Sequence, residues 1–147
     1  MPQNPPDSWL SLDGIIRVDA SSEADGHSLL GVLSEPIGAE WRASNPGPQV
    51  IRLQFIEPQD LTRVRLAFRD REHSRTQEFT LAWLAAGEQD FHVIVRQQFN
   101  FHPSGSSEEV EEYAVSLRGA SALELRIVPD IGGGNARASL AEFRVAG

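Results

Sequence analysis

The densest run of chemically useful side chains is Arg69-Asp70-Arg71-Glu72-His73-Ser74-Arg75, with three guanidiniums, an imidazole, a hydroxyl and two carboxylates in seven residues. Guanidinium and imidazole groups donate hydrogen bonds in fixed directions and carboxylates accept them, so such a run suits a polyol or an anionic sugar. A solvated charged turn that binds nothing would have the same composition. Asp70, His73 and Ser74 are also the residue types of an orienter, a base and a nucleophile. Neighbours in one loop rarely hold the geometry that nucleophilic catalysis needs.

Three other places invite a functional reading. Trp41 offers a flat apolar face on which a sugar ring would pack, or else it is a core residue. The segment Arg96-Gln97-Gln98-Phe99-Asn100-Phe101-His102 mixes amides, aromatics and a histidine; it forms a second wall of the same pocket, with Arg96 as a contact, or its phenylalanines cap the core. Glu108, Glu109, Glu111 and Glu112 resemble a metal site or a carboxylate pair, but adjacent strand residues point to opposite faces, so a solvated strand edge is the better reading. The chain has no nucleophile elbow, no phosphate-cradling glycine loop ahead of a helix and no paired-histidine metal motif. Histidines 27, 73, 92 and 102 are scattered, and Gly132 to Gly134 read as a flexible turn. The expectation is a binding protein with no catalytic residue and no metal ligand.

Charge and composition narrow the partners. A formal net charge of -8 and a pI near 4.9 argue against nucleic acid, which is bound through clustered positive charge. All 13 basic residues are arginine, a bias of either planar anion recognition or genome composition. Cysteine is absent, which excludes disulfides and thiolate chemistry and predicts a reducing, cytoplasmic location. Residues 1–12 hold three prolines, one acid and no base, unlike a signal peptide, and every apolar run is cut short of the ~20 residues a membrane helix needs.

The elements that must position these residues are strands. Apolar and polar residues alternate at 50–56 (Ile51, Leu53 and Phe55 against Arg52 and Gln54) and at 61–69 (Val64, Leu66 and Phe68 against Arg63, Arg65 and Arg69). The pattern recurs at Phe79-Leu81-Trp83, Phe91-Val93-Val95, Tyr113-Val115-Leu117 and Leu123-Leu125-Ile127, with two more strands at 15–18 and 140–145. Turn signals separate them at 57–60, 86–88, 103–106 and 132–135, and 27–33 could form a helical turn or two. About eight short antiparallel strands with almost no helix predict an all-β sandwich or jelly roll over 10–147, behind a Pro-rich tail at 1–9.

Three segments, in this order, resemble the discoidin family, also called the coagulation factor C-type or galactose-binding-like domain. Val18-Asp19-Ala20-Ser21-Ser22-Glu23, followed by Trp41-Arg42-Ala43-Ser44 and Pro48-Gln49-Val50-Ile51-Arg52-Leu53, is similar to the family's opening. Leu61-Thr62-Arg63-Val64-Arg65-Leu66 is similar to its next strand, and Ala138-Ser139-Leu140-Ala141-Glu142-Phe143-Arg144-Val145 to its closing strand. The resemblance implies a jelly-roll β-sandwich that binds ligands in the loops at one end. In carbohydrate-binding members an arginine of one such loop meets the sugar hydroxyls, and the loop that matches here runs from Arg69 to Arg75. The family's asparagine a few residues on has no counterpart. Many members also hold a structural calcium with an Asp-Gly-Asp type element and a glutamate of the last strand. Leu30-Gly31-Val32-Leu33-Ser34-Glu35 lacks those carboxylates although Glu142 is present, so no cofactor is expected and calcium rests on Glu142 alone.

Two functions remain. In the first, a carbohydrate or similar small polar ligand is bound through Arg69, Arg71, His73 and Arg75, with help from Trp41 and Arg96. In the second, the chain is a protein-interaction or assembly domain that uses a sheet face bearing Arg52, Arg63 and Arg65.

Overall fold

Burial follows the alternation. In β3 (Gln49–Arg69), Ile51, Leu53 and Phe55 are buried between exposed Arg52, Gln54 and Ile56; after the middle of the strand the parity inverts, and Val64, Leu66 and Phe68 are buried instead. A computed structural model describes residues 9–34 and 38–147. The remaining elements are β1 (Ile16–Ala20), α1 (Leu29–Leu33), β2 (Trp41–Arg42), β4 (Arg75–Ala85), β5 (His92–Phe101), β6 (Glu108–Val128), β7 (Ser139–Leu140) and β8 (Glu142–Ala146). Every strand pairing is antiparallel. The tail expected over 1–9 lies, up to Ser8, outside the described residues. Leu10 N–H already donates to the Val145 carbonyl at 2.8 Å.

Two strands each belong to both layers of the sandwich. The first half of β3 pairs with β1 and with the second half of β6, which in turn pairs with β4. The second half of β3 pairs with β8 and with the first half of β6. One layer therefore reads β1-β3-β6-β4-β5 and the other β8-β3-β6, with β2 and β7 as a small separate ladder. The turn expected at 57–60 is thus a fold-over within one strand. Register shifts between Gln54 and Arg63 insert unmatched residues there, and these carry the strand across and invert its parity. In β6 the crossing falls at Gly119, whose φ of 64° is left-handed. Its N–H is held by Asp60 Oδ1 at 2.8 Å, and its carbonyl accepts from Ala86 N at 2.8 Å.

The fold-over brings the ends of both long strands back to the rim where the 70–74 loop joins β3 to β4. The layers close on a core in which Phe68 and Phe79 stack with ring centroids 5.2 Å apart. Each such buried side chain contributes roughly 1.5–3 kcal/mol. The Ser21-Ser22 element is tied to the start of β3 by Gln49: its Oε1 accepts from both hydroxyls, at 2.6 and 2.8 Å. Ser21 Oγ then accepts from Val50 N at 2.9 Å and Ser22 Oγ from Ser44 N at 3.1 Å, which fixes the segment carrying β2. The helical turn expected at 27–33 is α1, capped by Ser28 Oγ on Gly31 N at 3.1 Å. Among the described residues no helix is long and apolar enough to cross a membrane.

Two expectations need correction. Arg52, Arg63 and Arg65 share no face, because the parity inversion puts Arg52 outside one layer and the other two outside the second. Arg52 pairs with Glu124, Arg63 with Glu112 at 3.4 Å and Arg65 with Glu142 at 3.3 Å, so each already has an acid of the chain. The acidic run is not a solvated edge throughout. Glu108 and Glu112 face outward, but Glu109 is only 2% exposed and Glu111 is half-buried on the same inward side of β6.

Candidate functional site

The rim carries a cleft of about 700 Å³. One wall is the loop from β3 to β4, with Arg69, Arg71, His73 and Arg75; the other runs from Asp130 to Arg137 between β6 and β7, and Glu40, Arg42 and Ser139 complete the lining. Four of the six residues expected to bind a ligand therefore meet there.

Asp70 shapes the first wall. Its Oδ1 accepts from Glu72 N at 2.9 Å and His73 N at 3.1 Å, an Asx-type turn that folds the loop over its own carboxylate. Its Oδ2 accepts from Arg75 Nε at 2.7 Å. Burial works to raise the Asp70 carboxyl, but the Arg75 bond, the two backbone N–H groups and the guanidinium charge outweigh it and hold the group below its usual range. Arg75 is rigid for the same reason. Its side chain is 3% exposed, its guanidinium lies 4.4 Å over the Phe101 ring, and Nη1 donates to the Pro129 carbonyl at 2.6 Å and to Gln77 Oε1 at 3.3 Å. The Pro129 bond ties the first wall to the root of the second.

The second wall owes its shape to Asp130 and the glycines after it. Asp130 Oδ1 accepts from Gly132 N at 3.0 Å and its carbonyl accepts from Gly133 N at 3.0 Å, which closes a tight turn. Gly133 and Gly134 both have left-handed φ, 90° and 91°, which only glycine adopts without strain.

Arg42, Arg69 and Arg75 each have an acid within reach: Glu40 at 3.4 Å, Glu108 at 3.5 Å and Asp70 at 2.7 Å. Arg71 and Arg137, one on each wall, are exposed and make no ion pair or side-chain hydrogen bond with another described residue. His73 Nδ1 is 3.2 Å from Asp70 Oδ1, so the orienter and base of a triad are in contact. Among the described residues no hydrogen bond joins Ser74 to His73.

The other two expected residues lie elsewhere. Trp41 is wholly buried, and its Nε1 donates to the Ser22 carbonyl at 3.1 Å, so its ring offers the cleft no surface. Arg96 projects from the outer side of β5 and pairs with Glu78 at 2.8 Å. The rest of its segment builds no wall: Phe99 and Phe101 pack edge to face 4.9 Å apart, and Gln97 turns inward to Glu111 and Tyr113. Arg42, Arg137 and Asn135 were not anticipated. They come from segments far apart in sequence, and only the glycine run at 132–134 marked the place.

Below the cleft a polar layer continues into the sandwich. Gln77 accepts from Arg75 and passes its own Nε2 to Glu109 Oε1 at 3.3 Å, while Glu109 Oε2 is buried with no partner. Burial, then the neighbouring Glu111, push the Glu109 carboxyl up to about 8. The residues around Glu142 do not suit a calcium ion. Its two carboxylate oxygens face Arg65 Nε at 3.3 Å and Arg144 Nε at 3.2 Å, and among the described residues no three His, Cys, Asp or Glu side chains converge as metal ligands do.

Comparison with solved structures places this architecture. A family 32 carbohydrate-binding module of NanJ from C. perfringens, solved with galactose, superposes with a TM-score of 0.67 at 14% identity over 88% of this chain and 92% of that one. The chain has the discoidin, or galactose-binding-like, fold. The family 32 module of AlyQ, solved with 4,5-unsaturated mannuronic acid, gives a TM-score of 0.65 at 19% identity over 90% of this chain and 95% of that one. A pectin-binding carbohydrate-binding module gives 0.64 at 16% identity over 90% and 91%. The sequence matches no family model and no curated protein.

Proposed function

We propose that the chain is a non-catalytic binding module that takes a carbohydrate in the rim cleft. The observation that carries this is the cleft itself, about 700 Å³ between two loops held by hydrogen bonds and lined mainly by residues with hydrogen-bonding side chains. That is the size and chemistry of a small polar ligand. The fold supports the reading, since solved neighbours hold galactose and 4,5-unsaturated mannuronic acid. Arg75 is the fixed donor at the base, and Arg71 and His73 are the accessible donors at the lip.

The test is a glycan array followed by titration calorimetry on the protein and on Arg71→Ala. Arg71 is exposed and braces no other described residue, so the variant keeps its thermal stability while affinity falls about tenfold, the value of one charge-assisted hydrogen bond. A protein that binds no saccharide on a broad panel contradicts the proposal. The assembly reading has no observation in its favour, since its three arginines are divided between two faces and paired.

A further inference from the structure

From the charge distribution we infer that the rim cleft selects saccharides that carry a carboxylate, with Arg71 and Arg137 closing on the acid group from opposite walls; this rests on the carbohydrate reading above. The molecule as a whole is strongly acidic, with 21 carboxylate residues against 13 arginines. The cleft reverses that balance: among the described residues it gathers five of the arginines and four of the acidic residues. Field lines concentrate in a concave site, so an excess of guanidinium there attracts an anion to a molecule that elsewhere repels one.

Local pairing sharpens the point. Asp70 is occupied by Arg75 and two backbone donors, Glu40 faces Arg42, and Asp130 Oδ1 is taken by Gly132 N. Glu72, the fourth acid, is exposed and has no cationic partner among the described residues, so it stands against Arg71 or Arg137 and the lining keeps an excess of one guanidinium. Among the described residues Arg71 and Arg137 make no ion pair, whereas Arg69 Nε lies 3.5 Å from Glu108 Oε2. A guanidinium presents parallel N–H donors that match a planar carboxylate better than a lone hydroxyl.

The lining also lacks what a neutral sugar would use. Among the described residues it contains no phenylalanine, tyrosine or tryptophan, because Trp41 is buried and Phe101 lies beneath Arg75. With no ring to stack on, affinity must come from hydrogen bonds and charge, and an acid substituent supplies the stronger kind.

The experiment compares three probes of matched length by calorimetry: oligogalacturonate, its methyl ester and neutral oligogalactan. The inference expects the acid form to bind at least tenfold more tightly than the ester, with affinity falling as sodium chloride is raised. Arg71→Ala and Arg137→Ala should each weaken the acid form about tenfold and the ester by a smaller factor. Equal binding of acid and ester, or binding of oligogalactan alone, would overturn the carboxylate assignment and leave the carbohydrate reading standing. Preference for a sulfated oligosaccharide over every carboxylated one, oligomannuronate included, would also overturn it. No binding to any of these probes or to a broad neutral panel would overturn both. Melting temperatures of the two variants equal to that of the parent protein keep a folding defect from imitating a loss of contact.

Discussion

Replacing Glu109 with glutamine should make the protein more stable, and increasingly so as the pH rises. Glu109 is 2% exposed, Glu111 stands two residues along on the same side of the strand, and among the described residues Oε2 has no partner and Gln77 is the one donor to Oε1. The other groups facing this layer are Arg75 from β4, which attracts the charge, and Gln97 of β5 and Tyr113 of β6, which bond to each other beside Glu111. Burial first, then Glu111, raise the Glu109 carboxyl from 4.5 to about 8. Between those values the unfolded chain has released a proton that the folded protein keeps. Stability therefore falls as pH rises through the window, by about 1.4 kcal/mol per pH unit for one proton, and levels off above it. From pH 5.5 to 7.5 the advantage of Glu109→Gln over the parent should grow by roughly 2–3 kcal/mol. Urea unfolding followed by tryptophan fluorescence at several pH values reads this difference. Parallel stability curves for the two proteins across that range would refute the reasoning, since a carboxylate ionised in both states exchanges no proton on folding.

Other outcomes follow from the same contacts. Asp70→Asn removes the partner of an arginine that is 3% exposed, and by denaturant unfolding should cost about 3 kcal/mol; the parent loses this stabilisation as pH falls below about 4, where Asp70 with its depressed value finally protonates, and the variant should lack that acid limb. Trp41→Phe should cost about 1–3 kcal/mol through the lost bond to Ser22 and a smaller core side chain, with saccharide affinity unchanged in calorimetry because the indole does not reach the cleft. Arg96→Ala should leave both melting temperature and saccharide affinity unaltered, and a large fall in affinity would relocate the site to the outer side of β5.

The layered fold was legible because burial in a sandwich follows a two-residue period, and Ile51, Leu53, Phe55, Val64, Leu66 and Phe68 are all buried as their spacing implies. The continuity of β3 and β6 was not. Pro58 and Asp60 carry the local chemistry of a turn, and only pairing with distant strands tells a turn from a fold-over. The first wall of the cleft was legible for a local reason, since Asp70 folds the loop on itself within five residues. The second wall depends on Pro129 meeting Arg75 across the rim, a contact between residues 54 positions apart that leaves no trace in local spacing. Glu109 was hidden by its neighbours. In a run of four glutamates, alternation alone places two inward, but whether the inward side is a wet edge or a covered layer depends on where β5 lies.

Nitrogen–proton NMR of the labelled protein titrated with oligogalacturonate tests most directly whether a saccharide docks in the cleft between residues 69–75 and 130–137. The largest shifts should fall on the backbone amides of those two segments and on the side-chain Nε–H signals of Arg71 and Arg137. Shifts spread over the outer faces of the layers, or centred on Arg96 and its neighbours, would contradict docking there.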